Sequence, residues 1–89
     1  MKSSSNETGA DLREMRELLG WSLGQTCERA AGVVDVARLS RYERAIPGWG
    51  MRPDQVAAVR KVLAMAMMER AARFQELVSV LPEAAHLSA

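Results

Sequence analysis

From Asp54 to Leu81 the chain contains neither glycine nor proline, and Pro53 and Pro82 bracket the run. Proline fits the first turn of a helix but cannot continue one, so this punctuation predicts a single helix opened at Pro53 and stopped at Pro82. Val56, Val59, Leu63, Ala66 and Met67 recur at helical spacing as one apolar stripe. Ala71, Phe74, Val78 and Leu81 extend it in steps of four and three. A helix of that length reaches about 40 Å at 1.5 Å per residue, more than the small bundle left for it can span. Its distal half has no cover on the same subunit. Residues 65–81 are therefore expected to form a dimerisation extension, with Met67, Ala71, Phe74, Val78 and Leu81 at the interface.

Shorter helices precede it. Thr8 and Asp11 resemble a capping box, and Leu12, Met15, Leu18 and Leu19 follow at helical spacing until Gly20 ends the segment. Ser22 and Gln25 form a stronger box, since Gln can reach back to the cap amide. The helix they open, over about 23–31, carries the small residues Thr26, Cys27, Ala30 and Ala31 on one face, which favours close packing on a neighbour. Gly32 breaks it. Asp35 caps a third helix, Val36 to about Ala45, with Leu39 and Tyr42 turned to the core. Pro47, Gly48, Trp49 and Gly50 read as an irregular loop.

An 89-residue chain is one domain with a modest core. Its net charge of +1 excludes a uniformly basic protein, but the charge is uneven. Residues 28–61 carry seven basic and four acidic side chains, while both flanks are slightly acidic. A single cysteine, Cys27, excludes an internal disulfide framework, and with the lone His86 leaves no metal-ligand cluster. No cofactor is expected. The serine-rich start has no apolar signal region and no run is long enough to span a membrane, so a cytoplasmic protein in a reducing compartment is expected.

Two short helices joined by a turn, the second bearing outward arginines, describe a helix-turn-helix. The stretch Leu12-Arg13-Glu14-Met15-Arg16-Glu17-Leu18-Leu19-Gly20-Trp21-Ser22 resembles the first helix, and the entry to the second, of the lambda-repressor/Cro-like (XRE-type) DNA-binding family. Leu39-Ser40-Arg41-Tyr42-Glu43-Arg44 resembles the end of that family's recognition helix. The resemblance covers residues 11–64. It departs at Leu23, where the family has a Gln that contacts phosphate, at a turn about two residues longer, and at Ala45 in place of a glycine.

The resemblance implies an all-α fold, a lambda-repressor-like helix-turn-helix bundle of four to five helices with a long C-terminal helix used for dimerisation. Residues 1–9 would be a flexible arm, 10–64 the DNA-binding domain, 65–81 the extension and 82–89 a tail. Val36, Ala37, Arg38, Ser40 and Arg41 would face base edges. Arg41 is best suited, because a guanidinium donates two parallel hydrogen bonds to guanine, while Val36 and Ala37 can pack on a thymine methyl. Ser22, Gln25, Arg44, Arg52, Arg60 and Lys61 would contact phosphates, which set register and affinity. A solvated face is an equal reading for Arg60 and Lys61. Arg16 and Glu43 match a buried ion pair between the first and third helices of related domains.

Cys27 reads as a small buried residue, since nothing indicates the exposure and lowered pKa of a reactive thiol. Trp21 reads as core. Trp49 either stacks on the DNA backbone or covers the bundle, and Met65, Met67 and Met68 are either an adaptable partner surface or helix filling. The expected function is a sequence-specific transcriptional regulator, a repressor in its most economical form. It would bind a dyad-symmetric operator in double-stranded DNA as a homodimer. The alternative is an antitoxin-like or other interaction module whose long helix binds a different protein, with DNA binding for autoregulation. An enzyme is not expected, because Cys27 and His86 lie in unrelated segments.

Overall fold

The computed structural model describes residues 9–48 and 50–80. These form four helices and, among the described residues, no strand: α1 (Gly9–Leu19), α2 (Leu23–Arg29), α3 (Val36–Glu43) and α4 (Pro53–Val80). The Thr8 cap, Trp49, Leu81, Pro82, the arm over 1–8 and the tail over 82–89 lie outside the described residues.

Each boundary follows from local chemistry. The α1 helix starts at Gly9, one residue before the expected domain boundary, and Gly9 is buried there. A Cβ at Gly9 would overlap the Tyr42 carbonyl and lie 2.8 Å from the Cα of Glu43. Only glycine lets α1 approach the end of α3 this closely. At the other end Gly20 has φ +74°, its N–H donates to the Glu17 carbonyl at 3.0 Å, and the Trp21 N–H donates to the Arg16 carbonyl at 3.0 Å. That pair of bonds is a Schellman cap.

The second helix begins with a complete capping box. The Gln25 N–H donates to Ser22 Oγ and the Ser22 N–H donates to Gln25 Oε1, both at 3.0 Å. It ends at Arg29, earlier than the expected 31. Ala31 (φ 60°) and Gly32 (φ 70°) are both left-handed, and the Gly32 N–H donates back to the Cys27 carbonyl at 2.9 Å. Ala31 is thus an exposed turn residue, not part of the packing face, which consists of Thr26, Cys27 and Ala30.

Asp35 caps α3 by accepting the Arg38 N–H at 2.7 Å. The helix ends at Glu43, two residues before the expected Ala45. Ala45 has φ 57°, its N–H donates to the Tyr42 carbonyl, and the Ile46 N–H donates to the Arg41 carbonyl, both at 3.0 Å. This is a second Schellman geometry, built on alanine where glycine is the usual occupant.

Leu12, Leu39, Val59 and Leu63, from α1, α3 and α4, are fully buried and form the centre of the core. Leu19, Cys27, Ala30 and Val34 close around them. Each large apolar side chain so buried stabilises by roughly 1.5–3 kcal/mol. Cover of α4 by its own subunit stops at Met67. From Met68 to Val80 every residue is exposed.

Candidate nucleic-acid interface

Two inward side chains set the orientation of α3. Leu39 is fully buried, and Glu43 is 7% exposed although it is an acid. Glu43 lies against Arg16 of α1: Arg16 Nε donates to Glu43 Oε2 at 2.8 Å and Nη2 donates to Oε1 at 2.9 Å. The remaining Nη1 donates to the Trp21 carbonyl at 2.8 Å. One guanidinium thus ties α1 and the Trp21 carbonyl before α2 to the end of α3, in the two-point geometry that only Arg provides. The hydrogen bonds that Arg16 donates to Glu43 hold its pKa above the ordinary arginine value, so it stays charged.

With Leu39 and Glu43 inside, the opposite face of α3 turns outward. Val36 is 44% exposed, and Ala37 is also exposed. Arg38, Ser40 and Arg41 are half-buried, and Arg44 at the helix end is exposed. The five residues expected to read bases therefore lie on one helix within about one turn and a half. Arg38 also ties α3 to the loop between α3 and α4: its Nη1 donates to the Gly50 carbonyl at 2.8 Å.

The phosphate candidates divide by position. Ser22 and Gln25 sit together at the N-terminus of α2, both exposed, with each side chain accepting the other's backbone N–H in the capping box. Arg44 bonds back to the Ser40 carbonyl at a long 3.4 Å. Arg52 is engaged by Asp54 at 3.0 and 3.2 Å. The hydrogen bond from Arg52 holds the Asp54 carboxyl below the usual carboxylate range. Arg60 and Lys61 are exposed on α4. Lys61 stands on the side of that helix away from the buried Val59 and Leu63, so it is not brought to the α3 surface.

Gln55, which is not among the residues expected at the interface, helps to fix its geometry. It is 9% exposed. Its Oε1 accepts the Arg52 N–H and its Nε2 donates to the Val33 carbonyl, both at 2.9 Å. It therefore caps α4 and clamps that helix to the turn that launches α3. A Gln three positions into a helix is the same signal that identified Ser22 and Gln25. Arg29 is likewise absent from the expected residues: its guanidinium carbon lies 4.8 Å from the centre of the half-buried Trp21 ring, a cation–π contact.

Cys27 is buried, and burial pushes its thiol above the usual range. That is the reverse of what a nucleophile needs. The expected interface residues on α4 are at the surface: Met67 is half-buried, Ala71 is exposed, and Phe74 and Val78 are 60% and 54% exposed. Leu18 of α1, 63% exposed, stands next to them. No helix among the described residues is long and apolar enough to cross a membrane. No family model, no curated protein and no solved structure matches this chain.

Proposed function

We propose that this chain is a sequence-specific DNA-binding transcriptional regulator. In this reading it is a repressor that occupies a dyad-symmetric operator as a homodimer and catalyses no reaction. The helix-turn-helix is α2, the Ala30–Asp35 turn and α3, in a lambda-repressor/Cro-like arrangement. The observation that carries the reading is the two-sided character of α3. Its inward side is pinned by Leu39 and by the Arg16–Glu43 pair, while Val36 and Ala37 are exposed and Ser40 and Arg41 are half-buried.

Arg41 then hydrogen-bonds a guanine edge, and Val36 and Ala37 pack on methyl groups in the major groove. Arg38 supports the surface through the loop as well as adding charge. Ser22, Gln25 and Arg44 are the phosphate contacts nearest that groove. Arg60, Lys61 and an Arg52 released from Asp54 add to the positive field that attracts the duplex.

An interaction module that binds a different protein through α4 remains the second reading. It is favoured by the uncovered apolar side chains beyond Met67.

The test is a gel shift with DNA from upstream of the chain's own gene against a random duplex, over a salt series. Arg41→Ala should weaken specific binding by about 1–3 kcal/mol and leave random-duplex binding nearly unchanged. An equal loss on both duplexes makes Arg41 a phosphate contact and overturns the assignment of the reading face.

A further inference from the structure

Three apolar side chains stand in water where α3 begins. Val33 in the turn is 41% exposed, and Val36 and Ala37 at the first two helical positions are exposed as well. Val34 is 4% exposed and closes on the core, so burial accounts for one valine of the turn and not for its neighbour. Both polar groups of the Val33 backbone are held. Its N–H donates to the Ala30 carbonyl at 3.3 Å, and its carbonyl accepts from Gln55 Nε2 at 2.9 Å. The side chain is thus presented from a fixed backbone, within the reach of three Cα steps, about 11 Å, from Val36.

The first turn of α3 contains no acid, although the helix dipole favours one there. The carboxylate of Asp35, just ahead of it, accepts the Arg38 N–H at 2.7 Å and is spent on the cap. We infer that Val33, Val36 and Ala37 read the 5-methyl group of pyrimidines, so that the chain accepts 5-methylcytosine as well as thymine and disfavours their unmethylated counterparts. The inference rests on the DNA reading above. It adds Val33 as a specificity-determining residue and cytosine-methylated duplex as a ligand.

The chemistry is one of elimination. Base edges in the major groove present donors, acceptors and one kind of apolar group, the pyrimidine 5-methyl. Valine and alanine side chains neither donate nor accept, and against a polar edge they displace its water without replacing the bond. Packed on a methyl, they remove apolar surface from water on both partners. 5-Methylcytosine carries its methyl at the same ring position as thymine, so an aliphatic surface gains the same contact from either. Hydrogen-bonding readout is left to Ser40 and Arg41, about one turn further along α3.

Single-methyl changes in the DNA test this directly. The tightest duplex that the wild-type chain selects from a random pool is resynthesised with one thymine at a time replaced by uracil, which removes only the methyl. Two positions in each half-site should lose about fourfold in affinity, the worth of one buried methyl group. Cytosine placed at those positions should bind at least threefold more tightly when methylated at carbon 5. Val33→Ser, its helices checked by circular dichroism, should abolish the uracil effect at one of the two positions and keep it at the other, which a loss of folding would not do. Uracil tolerated at every position, or a selected half-site without thymine, overturns the inference and leaves the DNA reading standing. An undiminished uracil effect at both positions in Val33→Ser overturns the assignment of Val33. A pool with no preferred sequence sinks the DNA reading, and the inference with it.

Discussion

Glu43 is an acid on a helix whose outward side is basic, and it is the side chain that explains why α3 faces as it does. Its carboxylate is 4% exposed and spends both oxygens on Arg16. Removing one member leaves the other charge buried without compensation, which costs more than the pair contributes. Glu43→Ala should therefore destabilise the fold by about 3 kcal/mol, read from the urea midpoint at constant slope. A change below about 0.5 kcal/mol, the range of ordinary surface substitutions, would mean that Leu39 alone seats the helix. Gly9 belongs to the same joint, because the α1 backbone rests where any side chain would strike the Tyr42 carbonyl.

Among the elements, the helix starts were legible in the sequence and the helix ends less so. Ser22 with Gln25, Asp35 and Pro53 begin their helices where capping chemistry puts them, since each cap acts on amides within three residues. Ala31 and Ala45 end theirs in the left-handed region with no such signature, so α2 and α3 come out two residues short of expectation. Much the same holds for the candidate interface. The face bearing Val36, Ala37 and Arg41 follows from periodicity, whereas the Arg38 bond to Gly50 and the Gln55 bond to Val33 join residues 12 and 22 apart. Those contacts exist only once the helices have packed. The alanine at 45 makes a prediction of its own. A left-handed alanine costs about 1–2 kcal/mol, partly offset by the greater unfolded-state freedom of glycine. Ala45→Gly should raise stability by about 0.5–1 kcal/mol in thermal unfolding; a loss of stability would mean that the methyl group packs against a neighbour.

At the scale of the whole molecule, a covered bundle and an uncovered helix are joined at Met67, and the proposed regulator needs both. In that proposal the bundle presents one recognition helix, and the extension fixes the distance to another. Phe74→Glu, placed on the uncovered part, should give a monomer by sedimentation that retains the circular dichroism of the bundle. A persistent dimer would put the interface elsewhere. Central to the account is that two copies of α3 read one dyad-symmetric site. Selection of bound sequences from a random duplex pool with the wild-type chain measures this most directly. Enrichment of an inverted repeat with half-site centres about 10 bp apart, or a whole number of turns, is the predicted result. A selected pool with no preferred sequence would contradict it.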